Sequence, residues 1–313
     1  TLEFEKAIVS QSPVGFTREY DKATLNSPVD LTVSFETQKP IPTLKKWTDS
    51  AITDFHAYKS TITNISFVDE ATAPASPYAG PWDISKAKDG SVTAWMSDST
   101  SVVISGNGSG FIKANTYSSY LFDSFFKLTK IEGLELLDTS AVTDMSDMFY
   151  YCKALTSLDG ISDWDTSAVT NMGRMFCDCE ALTSLDLSGW DTSSITSSRY
   201  AHDIFTSCTS LQEVTLGAGI KDFTKFQMRN LPALKKITFL HSADDVVTMP
   251  TAGRLSGAFY TDSLIETEII TDNPTIQKYD WAADKRAKGI PTLTFWTSSA
   301  KTDFHAYKST ITN

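Results

Sequence analysis

The side chains in this chain that could do chemistry are four histidines, four cysteines and an excess of carboxylates. Cys152, Cys177, Cys179 and Cys208 cluster in one stretch, but their spacing fits neither paired Cys-x-x-Cys zinc knuckles nor a small disulfide framework. Two of the histidines, His56 and His305, are copies of each other within a duplicated segment. No HExxH, GxSxG, P-loop or GxGxxG pattern occurs, and Gly106-Asn107-Gly108-Ser109-Gly110 is turn-like with the wrong spacing for a nucleotide loop. Asp159, Asp163 and Asp165 invite a calcium reading. An EF-hand loop needs Asp at alternate positions, a Gly at the sixth and a Glu at the twelfth, so turn and capping roles fit these residues better. The expectation is a protein without catalytic residues, metal or cofactor, and not an enzyme.

Bulk composition narrows the partners. The 313 residues are 41% hydrophobic, enough for a sizeable core, and carry a formal net charge of -11. No Lys/Arg cluster is present to track a phosphate backbone, which argues against nucleic acid. No run of about 18 apolar residues suits a membrane helix, so direct membrane insertion is not expected. The chain opens on Thr1 without the basic and apolar start of a signal peptide, and reads as a mature or excised segment. A protein or glycan partner, recognised by shape and polar contacts, is the expectation.

The middle of the chain aligns with itself at a period of about 26 residues. One unit holds Thr143-Asp144-Met145, Met148-Phe149, Cys152, Leu155-Thr156-Ser157-Leu158-Asp159 and Trp164-Asp165-Thr166-Ser167. The next holds Thr170-Asn171-Met172, Met175-Phe176, Cys179, Leu182-Thr183-Ser184-Leu185-Asp186-Leu187 and Trp190-Asp191-Thr192-Ser193. A third keeps Ile204-Phe205, Cys208, Leu211 and Val214-Thr215-Leu216, with three extra residues before Phe205 that should bulge, and weaker units flank these. Leu-x-x-Leu-x-Leu alternates like a short strand, whereas Met-x-x-Met-Phe-x-x-Cys places apolar residues at i, i+3, i+4 and i+7, the spacing of a helical face with Thr as its N-cap. Asp-Thr-Ser supplies the turn between them. Units of this kind close a core only by stacking. Stacking should align Cys152, Cys179 and Cys208 as buried thiols, put Trp164 and Trp190 in the core, and leave Cys177 as the more reactive thiol. Tyr150 and Tyr151 follow Phe149, and at least one should face outward.

A larger repetition copies Thr53 to Asn64 letter for letter as Thr302 to Asn313, with Ile41-Pro42-Thr43-Leu44 and Trp47-Thr48 matching Ile290-Pro291-Thr292-Leu293 and Trp296-Thr297 at the same offset of 249 residues. Read as a tandem array, the next module begins near Ile290.

The repeats resemble the BspA-type leucine-rich repeat of bacterial surface proteins, most closely from Ser118 to Leu216, and the run from Pro81 through Trp95 resembles the lead-in to such domains. The resemblance implies an α/β solenoid, a leucine-rich-repeat-like stack of short strand plus helix units. It also implies a secreted, extracellular, cell-surface adhesin that binds host or partner-cell surface protein or glycan, with no cofactor. The family has no shared binding residues to carry over.

The expected organisation is a β-rich segment or tail of a preceding domain over 1–40, an N-terminal cap over 41–118, and the repeats over 119–240. A C-terminal cap and linker over 241–289 and the start of a duplicated module over 290–313 follow. Short apolar alternations around Leu31–Phe35, strands at 62–67 and 102–104, an Asn107-Gly108 hairpin, a helix over 275–288 and a strand over 292–296 are expected within them. A ligand on the strand face would meet the outward residues Thr156, Asp159, Thr183, Ser184, Asp186, Glu213 and Thr215, an acidic, hydroxyl-rich surface suited to a basic protein patch or a polar glycan. The competing expectation is a structural spacer in a surface stalk or phage assembly, contacting adjacent copies of the same module.

Overall fold

A computed structural model describes residues 39–47, 53–196, 203–226, 228, 231–250, 267–281 and 295–296. The β-prone stretch 31–35, the insertion before Phe205, the second half of the expected 275–288 helix and the copied segment 302–313 lie outside these residues in whole or in part, and in the described half of that helix the turn ends at Gln277.

The described chain is β-rich. Strands β1 (Asn64–Val68), β2 (Ala79–Asp83), β3 (Thr93–Met96) and β4 (Ser101–Ser105) come first. They are followed by β5 (Ile112–Lys113), β6 (Lys130–Glu132) and β7 (Leu137–Asp138). Strands β8 (Ser184–Leu187), β9 (Glu213–Leu216), β10 (Lys236–Phe239), β11 (Glu268–Ile270) and β12 (Phe295–Trp296) complete the set. One sheet has the order β2-β3-β4-β1-β6, a second β12-β11-β10-β9-β8, and β5 pairs with β7. The second sheet is parallel throughout, in the register Ser184, Glu213, Lys236, Glu268. Parallel pairing in sequence order is what stacked repeats require, since each turn of chain returns to lie beside the last.

The expected strand-plus-helix solenoid is overturned. Among the described residues the only α-helix is the single turn Pro274–Gln277, α1, beside three short 3-10 turns. Met145, Met148, Phe149 and Cys152 are buried as a helical face would be, but the backbone carrying them is a ladder of turns. Alternate amides reach the next unit: Met145, Asp147, Phe149 and Tyr151 donate to the carbonyls of Asn171, Gly173, Met175 and Cys177 at 2.9–3.0 Å. The intervening Met148, Tyr150 and Cys152 bond back to residue i−3. Asp147, Tyr151, Arg174, Asp178, Asp203 and Ser207 all have φ between 52° and 62°. A left-handed residue every fourth position cannot belong to a right-handed helix. The expected N-caps fall with it: Thr143 and Thr170 instead give their hydroxyls to the carbonyls of Thr116 and Thr143 in the preceding unit.

Inward side chains form columns. Phe122, Phe149, Phe176 and Phe205 stack with ring centroids 5.3, 5.6 and 5.8 Å apart, and Phe226 ends the column edge-on. Trp164 and Trp190 are buried beside it, their indole N–H groups donating to Leu134 and Ile161 carbonyls. Each such aromatic pair adds about 0.5–1.5 kcal/mol beyond its area burial. Cys152, Cys179 and Cys208 align, each thiol donating to the carbonyl of Phe122, Phe149 or Phe176 one unit earlier. Asp138 and Asp165 accept from the amide and hydroxyl of Ser140 and Ser167, and Asp191 from the amide of Ser193, which builds the Asp-Thr-Ser turns.

At the N-terminal end the first sheet covers the column, and strands fall at 64–68 and 101–105. The Asn107-Gly108 hairpin does not form: β4 pairs with β1 and β3, β5 pairs with β7, and Asn107 bridges Glu70 instead. The short connection fits a hairpin, but β1 (parallel) and β3 (antiparallel) take both edges of β4, and β5 pairs in parallel with β7.

Candidate functional site

Alternation and parallel register in β8 and β9 place Ser184, Asp186, Glu213 and Thr215 on one surface, and the threonine hydrogen bonds and the shared notch bring Thr183, Thr156 and Asp159 onto it. Thr156, Asp159, Thr183, Ser184, Asp186 and Glu213 are exposed and Thr215 is half-buried, while Leu158, Leu185, Val214 and Leu216 point into the core. Along the edge of this face runs a threonine ladder. The Thr129 hydroxyl donates to Thr63, Thr156 to Thr129 and Thr183 to Thr156, at 3.0–3.4 Å through each carbonyl. Their amides follow the same path, so the hydroxyl row is held rigidly at the spacing of the stacked chains.

Charge is unevenly spread over the face. Lys236 meets Glu213 at 2.9 Å and balances its charge, while Lys235, which donates to the neutral Gln212 at 2.8 Å, keeps its own positive charge at the C-terminal end. Lys130 pairs with Glu132 at 2.6 Å, and its hydrogen bond and charge hold the Glu132 carboxyl below its ordinary range. Asp159 and Asp186 remain between these pairs. The chain from Leu155 to Asp159 is not a strand, so regular pairing is interrupted between β6 and β8, leaving a notch of about 170 Å³. Ser157, Asp159, Gly160, Ser162, Ser184 and Asp186 line it. Gly160 closes this stretch: it adopts φ 90° and starts a 3-10 turn over Ile161–Asp163, as Gly133 does after β6 at φ 77°, where the next unit continues its strand with Leu187. The notch offers carboxylate acceptors beside hydroxyl groups, which can take the N–H donors of a basic side chain or the hydroxyls of a sugar.

Sequence reasoning found the outward rows. It missed Ser157 and Ser162 and the two lysine pairs. The glycine at 160 in place of a third leucine was the available signal for the turn that borders the notch. The lysines had none, since their register became fixed only once β9 and β10 were paired.

The remaining candidates fall elsewhere. Asp165 is occupied by Ser167 in its turn and Asp163 ends a 3-10 turn. Among the described residues no group of three or more His, Cys, Asp and Glu side chains is arranged to hold a metal ion. Cys177 is the least raised of the four thiols, in line with its expected rank, but burial and then the hydrogen bond to Asp178, 3.3 Å away, still push it up to about 12. Burial also raises Cys152, Cys179 and Cys208. Such thiols are poor nucleophiles at neutral pH. Tyr150 and Tyr151 lie half-buried on the turn ladder. A buried polar cluster that the sequence did not announce joins the first sheet to the repeats. Asp54 accepts from Trp47 Nε1 at 3.0 Å, meets Lys45 Nζ at 2.5 Å and His56 Nδ1 at 2.7 Å, and His56 Nε2 lies 2.8 Å from the Leu121 carbonyl.

Together these features define a β-rich stack of repeat units with one rigid polar face. A family described as Mycoplasma protein of unknown function, DUF285, matches residues 118–230, which hold the phenylalanine column and most of that face. No curated protein and no solved structure matches the chain. No helix among the described residues is long and apolar enough to cross a membrane.

Proposed function

We propose that this chain is a non-catalytic recognition module at a bacterial cell surface, binding a protein or glycan partner through the strand face. The observation that carries the reading is the convergence of Thr156, Asp159, Thr183, Ser184, Asp186, Glu213 and Thr215 on one surface, with a hydroxyl-and-carboxylate notch at its centre. A pre-organised polar face on a rigid scaffold loses little freedom when a partner docks. The resemblance to surface-protein repeats supports the extracellular placement.

The test is a binding screen of the whole chain against extracellular-matrix proteins, epithelial and bacterial cells and a glycan array, repeated with Asp186→Lys and Glu213→Lys. A saturable interaction reduced at least tenfold by Asp186→Lys is expected, because reversing a charge in a polar contact costs about 1.4 kcal/mol or more. An interaction indifferent to both changes would remove the strand face as the site. The letter-for-letter recurrence of residues 53–64 favours a second reading, a spacer whose contacts are with its own neighbours. Two linked copies would then hold one fixed geometry in small-angle scattering.

A further inference from the structure

The turn ladder encloses the core from the other side, and its aromatic side chains are not dictated by the fold. Each unit needs two left-handed residues: Tyr120, Asp147, Arg174 and Asp203 fill the first position, and Ser124, Tyr151, Asp178 and Ser207 the second. A bulky side chain is disfavoured in that region of backbone, where short polar residues are tolerated. Serine or aspartate serves at three of the four second positions. The backbone therefore does not ask for tyrosine at 151.

What Tyr151 contributes is its ring. It lies 4.6 Å from the Tyr150 ring and edge-on to Phe126 at 6.3 Å and 85°, and Phe126 itself is 42% exposed. Two cations frame the rings. Lys153 Nζ sits 5.1 Å from the Tyr151 centroid while bonding Glu180 at 2.6 Å. The Arg174 guanidinium sits 5.3 Å from the Tyr150 centroid while pairing with the buried Asp147 at 3.0 and 3.1 Å. Each cation is matched by a carboxylate, and Asp178 adds a further negative charge close to Tyr150 and Lys153, so the patch has no positive field to draw in a polyanion such as a sialylated or sulfated sugar. It offers exposed aromatic surface bordered by donors and acceptors together.

That combination suits a ligand with an apolar C–H face and a rim of neutral hydroxyls. Aromatic faces carry partial negative charge and attract the slightly positive C–H groups of a pyranose ring. The ring's hydroxyls can both accept from ammonium or guanidinium and donate to carboxylate. We propose that Phe126, Tyr150, Tyr151, Lys153, Arg174 and Glu180 form a binding site for a neutral oligosaccharide on the turn face, distinct from the strand face and independent of the reading given for it.

The experiment is calorimetric titration of the full chain with neutral gluco-, galacto- and manno-oligosaccharides and with sialylated and sulfated counterparts, for the parent, Tyr151→Ser, Phe126→Ser and Asp186→Lys. Tyr151→Ser should fold with an unchanged or higher melting temperature, because serine occupies the equivalent positions 124 and 207. Binding of a neutral oligosaccharide, weakened about fivefold or more by Tyr151→Ser and by Phe126→Ser, unmoved by Asp186→Lys and nearly insensitive to salt, is the expected result. Absence of neutral-sugar binding at millimolar concentration, binding by both aromatic variants as tight as the parent's, or preference for the charged sugars with steep salt dependence would overturn it. None of those failures touches the strand-face reading, whose readout is the loss caused by Asp186→Lys and Glu213→Lys.

Discussion

At the scale of single residues, the most consequential side chain outside the repeats is Asp54. It is buried, and burial alone would raise its carboxyl above the ordinary 3.8. The hydrogen bonds and charge of His56 and the bond from Lys45 more than reverse this, leaving it well below that value. A carboxylate whose folded-state pKa is depressed contributes stability that is fully present above its unfolded value and is lost as pH falls toward the folded one. The cluster should therefore support the fold at neutral pH and weaken progressively below about pH 4. Asp54→Asn removes the charge that His56 and Lys45 enclose and should lower stability at pH 7 by about 3 kcal/mol, as expected for breaking a buried pair. The difference in melting temperature between parent and variant should hold steady down to about pH 4 and shrink from about pH 4 to about pH 2. A constant gap across that range would show that Asp54 acts through packing alone. The same residue-scale logic separates the cysteines from chemistry: they sit at equivalent places because a small apolar side chain with one weak donor fits against the preceding carbonyl.

At the scale of elements, the turns are governed by how closely successive chains approach. Gly133 and Gly90 both adopt left-handed backbone, at φ 77° and 74°. A methyl group at Gly90 would meet nothing within 4 Å, whereas at Gly133 it would collide with the Phe67 carbonyl oxygen of the neighbouring strand. Gly90→Ala should cost about 1 kcal/mol for its backbone alone. Gly133→Ala should cost about 3 kcal/mol or more, because β1 and β6 must separate to admit the methyl group. Chemical denaturation of the two variants measures the difference, and equal losses would mean that the approach of the two strands is not tight. Contacts of this kind explain what the sequence could and could not show. Inward positions were legible, since Met145, Met148, Phe149 and Cys152 announce burial by their type, and so were the outward rows of the strand face. The backbone between the inward positions was not. Spacing of i, i+3, i+4 and i+7 also arises when i→i−3 turns alternate with amides donated to the next unit. The residues that enforce this, Asp147, Tyr151, Arg174 and Asp178, are not glycines and carry no mark of left-handed geometry. The Asn107-Gly108 turn misled for a related reason: local turn chemistry was right, but the parallel partners lay 37 residues away for β4 (Asn64↔Ser101) and 25 for β5 (Ile112↔Leu137).

At the scale of the whole molecule, the stack is a set of columns in register: threonine hydroxyls, phenylalanine rings, thiols and turn amides each repeat from unit to unit. The threonine ladder steps by 27 residues from Thr129 to Thr156 to Thr183. Stability in such an array is close to a sum of unit terms and contacts between neighbours, so a unit can be removed if every column closes again. Deleting residues 156–182 joins Leu155 to Thr183, brings Thr183 to the Thr129 carbonyl and places Phe205 against Phe149. This variant should melt cooperatively, at a temperature lower by roughly 5–10 °C for the loss of one set of neighbour contacts. Deleting one residue more, 156–183, puts Ser184 where Thr183 should be and shifts the strand by a single position. With a period of two, that slip drives Leu185 and Leu187 outward and Asp186 inward. The longer deletion should aggregate or melt without a cooperative transition. Calorimetry on the pair decides the matter: identical, cooperative transitions would mean that the strand register is not what couples one unit to the next.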